Sequence, residues 1–437
     1  WHHPTNPSAL PSGLSVSVNA ESTALYCTGL SSGPAPGHVS FYNTATQTRT
    51  LSVTIVSSRG QTWSGTVKLA AHGSRALIPS VLDKPPLRPK AKVPYVVTYG
   101  LGVEISGGGV VAQEIAAHGD AEVACASAGS TRWYATGFDT TVGSSGEVSV
   151  YNPTGTAAVM NVSVFTANGF SAPEAFQGLS VPSHAEIDVD LAREVVSTSN
   201  IGVSVKVLRG ALEIVGVQDS QGTISFEQGL YATAQTGWYP NVTTAQSATA
   251  QILVANPSDR PANVTVDVSL GEYKVPQQTT TISPYSTGTV TITPNSAIPA
   301  DGYAGLTLHS SVPVVSALAT GTSDWVALTS PQTPSSAYLI RNFSGLGFDA
   351  ATVTNTSPRS AQLTITSFDP SNKNVFTVSG VKIAGGATEK LTALITTFMK
   401  EPSDTYIIST TKPVLVSSLT IPSRPRGLYV VSTLDGR

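Results

Sequence analysis

The stretch SVYNPTGTAAVMNVSVF, residues 149–165, sets an alternating apolar run on each side of a polar turn that opens at Asn152-Pro153. Side chains that alternate with a period of two mark half-buried β-strands, and the Asn, Pro, Thr and Gly between them predict that the chain reverses there. Three more stretches follow the same pattern: SFYNTATQTRTLSVTIV (40–56), LVANPSDRPANVTVDV (253–268) and VTNTSPRSAQLTITSF (353–368). Aligned on the asparagine, the four need no gaps. Apolar residues stand eight positions after each Asn (Leu51, Met160, Val264, Leu363) and again ten positions after (Val53, Val162, Val266, Ile365). Asn43, Asn152, Asn256 and Asn355 are 109, 104 and 99 residues apart, which signals an internal repeat. An Asn side chain caps its own backbone two residues on, and the Pro present in two of the four units stops the preceding strand. The four asparagines are therefore expected in equivalent hairpin turns, as turn chemistry and not as functional groups.

A second anchor recurs in GVEISGGGVVAQE (102–114), GVSVKVLRGALEIVGV (202–217), GLTLHSSVPVVSALAT (305–320) and TYIISTTKPVLVSSLT (405–420). Each reads as strand, short turn at Gly109, Gly210, Pro313 or Pro413, then strand. An aromatic opener, Tyr26, Tyr134, Tyr239 or Tyr338, precedes each unit, with Trp133 and Trp238 beside two of them. About seven or eight short strands fit each unit, with one helical turn expected in DLAREVVS (190–197) or KLTALITTFMK (390–400). The expected fold is all-β: four tandem immunoglobulin-like β-sandwiches of about 100 residues forming an elongated rod. No long amphipathic helix lies between strands, which excludes a parallel α/β fold. The expected division is an extended N-terminal arm (1–20, with the alternating GLSVSVNA at 13–20) and sandwiches over 21–130, 131–236, 237–335 and 336–437. The first sandwich carries a Pro- and Lys-rich insertion, LDKPPLRPKAKVPY (82–95), that Pro keeps extended.

Only 12% of the 437 residues are charged and the net charge is −3, so the chain has no basic footprint for nucleic acid or for anionic membranes. Hydrophobic residues make up 40%, enough to fill real cores despite 38 Gly and 29 Pro. No apolar run is long enough to span a membrane. The neutral, hydroxyl-rich surface suits a protein outside the cytoplasm, and a start at Trp1 suits a mature chain whose leader has been removed. Cys27 and Cys125 bracket the first unit, as a disulfide across one sandwich would; two buried thiols are the alternative.

The chemistry-bearing patterns are sparse. GLSSG (29–33) fits G-x-S-x-G with Ser31 in the nucleophile slot, but PAPGHVSF behind it cannot start the helix that motif needs. GLGF (345–348) resembles a carboxylate-binding loop, yet Gly347-Phe348-Asp349 repeats Gly137-Phe138-Asp139 of the second unit. The seven histidines (2, 3, 38, 72, 118, 184, 309) form no H-x-x-x-H, and His2-His3 offers a divalent metal only a terminal pair. EIDVD (186–190) places Glu186, Asp188 and Asp190 on one strand face, a candidate calcium patch. Its counterparts STGTVTI and ATEKLTA carry no matching acid set, so the plainer expectation is a solvated strand face. Sequons make Asn161, Asn241, Asn263, Asn342 and Asn355 candidate glycosylation acceptors. No catalytic residue, cofactor site or metal centre is assigned.

The order Cys27, Cys125 before STRWYATGFDTT, then VSVYNPTGTAAVMNVSVF and later GLSVPSHAEIDVDL resembles a family of secreted or envelope-anchored actinobacterial proteins defined by a domain of unknown function. That resemblance implies an envelope or extracellular location and a β-rich repeat, and it transfers no catalytic residue. The function expected from all of this is non-enzymatic: an extracellular or cell-surface structural protein that assembles with copies of itself, or with envelope components, through sandwich edges and the N-terminal arm. The alternative is a glycan- or cell-wall-binding module using Trp63 or Trp325. A hydrolase would need a Ser-His-Asp set gathered from different units.

Overall fold

The computed structural model describes residues 23–31, 37–71, 73–79, 97–116, 122–220, 222–243, 249–270, 273–275, 277–292, 303–322, 325–329, 331, 334–341, 347–368, 375–390, 405–422 and 429–430. The arm 1–20, the insertion 82–95, His2, His3, His72, His118, Asn342 and the turn expected over 391–400 lie outside them. The protein is all-β, with its strands arranged in sandwich-like pairs of sheets, and every pairing among the described residues is antiparallel. Four hydrophobic cores follow one another along the chain. They centre on Phe41 and Leu101, on Trp133 and Val162, on Ile252 and Leu306, and on Tyr338 and Leu363. Fully burying each Val or Leu in such a core contributes about 2 kcal/mol.

One strand order serves all four cores. In the first sheet of each unit the opening strand (Ala24–Ser31, Arg132–Phe138, Ala234–Thr243, Ser335–Arg341) pairs with a switch strand. The switch strand pairs in turn with the strand that follows the asparagine turn (Arg49–Ser57, Ala158–Thr166, Ala262–Leu270, Ala361–Phe368). In the second sheet the strand ending at or just before the asparagine (His38–Asn43, Ser144–Tyr151, Thr249–Asn256, Gly347–Thr354) lies between an edge strand and the far half of the switch strand.

The switch strand thus belongs to both sheets, and this corrects the hairpin expected at the second anchor. Thr98–Ile105 and Val110–Ile115 sit in different sheets, as do Ile201–Arg209 and Glu213–Ser220. In the last two units the crossing is made by one continuous strand, Tyr303–Thr322 or Thr405–Pro422. Ser310 pairs with Val264 in one sheet while Val315 pairs with Ala255 in the other. Gly109 and Gly210, with φ of 79° and 86°, turn the chain in the first two units. Pro313 and Pro413, which lack an N–H, mark the place where the other two strands leave one ladder for the next.

The asparagine turns are also arches between the two sheets, not hairpins. Asn152 Oδ1 accepts the Thr154 N–H at 3.0 Å, the local cap expected from sequence. Its Nδ2 donates to Thr156 O at 2.8 Å and, 29 and 30 residues ahead, to Val181 O and Pro182 O at 3.0 Å. Asn43, Asn256 and Asn355 repeat the set with Gln47, Leu69 and Ala70, with Arg260, Ile282 and Ser283, and with Arg359, Ile383 and Ala384. All four are fully buried. Each ties its own arch to the end of an edge strand in the opposite sheet, so the amide locks one end of its sandwich.

Cys27 and Cys125 are disulfide-bonded inside the first core. The helical turn at 190–197 is a single 3-10 turn, Leu191–Arg193, whose first N–H groups are capped by Asp190 through Ala192 N at 2.9 Å.

Candidate functional site

The units meet through one repeated joint. In each, the second sheet of a unit turns its outward face onto the opening or switch strand of the unit before it. The residue just before the asparagine is the knob, and a glycine of the preceding switch strand is the seat. A Cβ on Gly102 would lie 3.0 Å from the Tyr151 hydroxyl, one on Gly202 would lie 2.6 Å from Ala255 Cβ, and one on Gly305 would lie 3.0 Å from Thr354 Oγ1. Beside each knob stand its two cross-strand neighbours. They are Glu186 and Glu213 flanking Tyr151, Thr287 and Val315 flanking Ala255, and Thr388 and Leu415 flanking Thr354. The frame is constant and the chemistry is not.

The second joint is apolar: Phe165, Ala255 and Val315 cluster with Tyr134 and Leu230, and Leu253, Ala319 and Leu328 form a second patch. Polar fastening there is neutral, with Asn200 Nδ2 donating to Gly288 O at 2.9 Å and Leu328 N–H to Ser225 Oγ at 3.2 Å. At the third joint the Thr354 and Thr388 hydroxyls lie 3.0 Å apart.

The first joint is acidic. Glu114 of the first unit and Glu186 and Glu213 of the second are 0%, 3% and 2% exposed. Thr28 connects the first two, its N–H donating to Glu114 Oε1 and its hydroxyl reaching Glu186 Oε1 and Oε2 at 2.8 and 2.7 Å. Gly29 N–H adds a 3.4 Å bond to Glu186. Glu114 Oε2 and Glu213 Oε2 are buried with no hydrogen-bond partner. A Glu114 oxygen also lies within 4.8 Å of both disulfide sulfurs. At the rim Asp188 accepts from Thr98 Oγ1 and, at 2.7 Å, from Ser149 Oγ. An apolar flank of Ala116, Val123, Val215 and Phe226 seals one side.

Burial drives all three glutamates well above the usual carboxylate range, and repulsion among them adds to it: Glu213 on Glu114, Glu186 on Glu213, and Asp188 and Glu114 on Glu186. The Thr28 and Gly29 donors pull the other way. Glu147, half-buried on the same face, is raised to about 7 by burial and then by Asp188, Asp190 and Asp219. Burial, and then Glu186 and Tyr26, push the Tyr151 phenol up to about 12. Among the described residues the ion pair found is His309–Asp267 at 3.4 Å, in the third unit, and no cation pairs with this cluster.

The structure corrects the reading of EIDVD as a solvated face, because the outward face of one unit is the inward face of a joint and Glu186 is buried in it. Sequence reading missed Glu114, Glu147 and Glu213; the close-approach pair Gly100 and Gly102, whose Cβ atoms would strike Glu186 and Tyr151, was the available signal. Ser31 ends its strand, with no described helix behind it. Among the candidate glycosylation acceptors, Asn263 is exposed and Asn161 Oδ1 accepts the Gly178 N–H at 2.8 Å. Asn241 lies in the strand Ala234–Thr243. The buried, committed amide of Asn355 is incompatible with a sugar in this fold. Trp63 is half-buried and packs against the first core, and Trp325 opens the strand Trp325–Thr329.

Residues 106–230 match the model of a family described as a family of unknown function (DUF5719). That span is less than half of the chain and contains Glu114, Glu147, Glu186 and Glu213. No curated protein matches the chain. Among solved structures, the crystal structure of a tetra-tandem repeat in the extending region of a large adhesion protein aligns over 97% of this chain and 98% of its own, at 11% identity and a TM-score of 0.12. Among the described residues no helix is long and apolar enough to cross a membrane.

Proposed function

We propose that the chain is a non-enzymatic structural protein of the cell exterior, a stack of sandwiches that acts as a stiff spacer and assembles with further copies of itself. The observation that supports this is the repeated joint. A flexible tether between domains needs no glycine seat and no buried knob, whereas Tyr151, Ala255 and Thr354 occupy the same place at three successive junctions. Interfaces packed like cores resist bending, because interdigitated side chains must lose contacts before units rotate. A buried disulfide favours an oxidising compartment. Assembly through the arm 1–20 and exposed sandwich edges follows the logic of strand addition. The glycan-binding reading draws little support from Trp63, whose half-buried indole packs against the first core.

Small-angle scattering and electron microscopy of the full chain, with and without residues 1–20, test the proposal. A rigid particle of fixed inter-unit angles that forms oligomers only with the arm is expected. A flexible string of beads, or a monomer at high concentration, would sink it.

A further inference from the structure

We propose that Glu114, Glu186 and Glu213 take up one divalent cation of the calcium class between the first and second units, and that the ion closes the first joint. The inference stands on the joint itself and does not depend on self-assembly. Two of the three glutamates already accept from donors that favour the carboxylate form: Thr28 N–H donates to Glu114, and Thr28 Oγ1 and Gly29 N–H donate to Glu186. Buried anions need a counter-charge, and no Lys, Arg or His among the described residues supplies one here. Protonation removes the charge but leaves a second difficulty. Glu114 Oε2 and Glu213 Oε2 have no partner, so an acid proton on either would find no acceptor. A cation answers both demands, since each free oxygen becomes a ligand.

The donor set selects the ion. Carboxylates from two units, with the Thr28 hydroxyl alongside, are hard oxygen ligands, which suit calcium with its tolerance of six to eight irregularly placed oxygens more than magnesium with its strict octahedron. Among the described residues, the one cluster of potential ligand atoms all within 4.8 Å is Cys27–Glu114–Cys125, whose sulfurs are bonded to each other and are not ligands. Binding one ion thus requires the three glutamate side chains to rotate toward a common point between the two units. The second and third joints, with Thr287, Ala255 and Val315 or Thr388, Thr354 and Leu415 in the equivalent row, have no such chemistry.

The test uses the full chain, stripped with a chelator and titrated with calcium by isothermal calorimetry. Terbium, sensitised by Tyr151, which stands between Glu186 and Glu213, provides an optical check. One ion per chain is expected, with at least tenfold weaker binding in Glu213→Gln and Glu114→Gln and unchanged binding in the exposed control Glu104→Gln. Glu213→Gln keeps the side chain's shape, and near-ultraviolet circular dichroism verifies that the variants fold; the wild-type titration stands even if they do not. A wild-type chain that takes up no calcium overturns the proposal, as does binding undiminished in both Glu→Gln variants. A joint that tightens on acidification while ignoring calcium also overturns it, and assigns the cluster to protons alone.

Discussion

The first and second joints are the same mechanical part made of different materials. Both press a residue preceding an asparagine onto a glycine of the previous unit, Tyr151 on Gly102 and Ala255 on Gly202. The second joint closes on small and apolar side chains, with only neutral hydrogen bonds beside them. The first places three glutamates in the equivalent surface, where each charge removed from water costs several kcal/mol unless it is neutralised. The fold therefore fixes where units meet, and the side chains in one row decide whether the contact is permanent or conditional.

Removing the disulfide gives the largest expected separation of the two joints. Closing a loop of 98 residues restrains the unfolded chain by about 5 kcal/mol, so Cys27→Ala with Cys125→Ala should lower the first unit's melting transition strongly. Because Glu114 lies beside the sulfurs, the first joint should loosen as well while the second stays closed, as limited proteolysis around each would report.

Asn152→Asp comes next, at about 3 kcal/mol, because the change sets an acceptor against three carbonyl oxygens that the amide now serves. A role limited to the local cap would tolerate Asp, whose oxygen still accepts from Thr154 N–H; a melting temperature equal to wild type would reduce the asparagine to turn chemistry. Gly202→Ala should destabilise by about 2 kcal/mol, since its Cβ meets Ala255 Cβ at 2.6 Å within packed surroundings. Gly102→Ala should cost less, because its Cβ meets only the end of Tyr151 at 3.0 Å. Equal losses in chemical denaturation would contradict the second joint's tighter fit.

A further prediction concerns pH. A carboxyl whose pKa is raised on folding contributes stability that is complete below its unfolded value and is lost as pH rises through the folded one. Glu147 sets the window, from its ordinary 4.5 to about 7. In chelator, the first-joint transition should therefore melt higher at pH 4.5 than at pH 8, whereas the apolar second joint should not move with it. Phe170→Ala should have the smallest effect, below about 1 kcal/mol, and only at the second joint. There the half-exposed ring makes tilted contacts with Phe165 at 5.4 Å and Tyr285 at 6.3 Å between centroids.

Much of the scaffold was legible in the sequence because it repeats. The asparagine with its period-2 strand and the glycine or proline of the switch strand are each dictated by local backbone chemistry, and local rules show in a single chain. Two things were not. Alternation reveals that a strand has two faces but not which sheet it joins, so the arches were read as hairpins. Nor does it say whether a polar face meets water or the next unit. Glu186, Asp188 and Asp190 look like a solvated face in isolation. Absence of acids at Thr287 and Thr388 marks chemistry confined to one joint. Glu114 and Glu213 come from separate strands, and only the fold brings them together.

Hydrogen exchange at three amides tests the contrast most directly: Thr28 and Gly29, which donate to the first joint's glutamates, and Leu328, which donates to Ser225 across the second. In chelator at pH 8, Thr28 and Gly29 should exchange fast and calcium should restore their protection, while Leu328 remains protected throughout. Equal protection at all three amides, unmoved by calcium, would contradict the account.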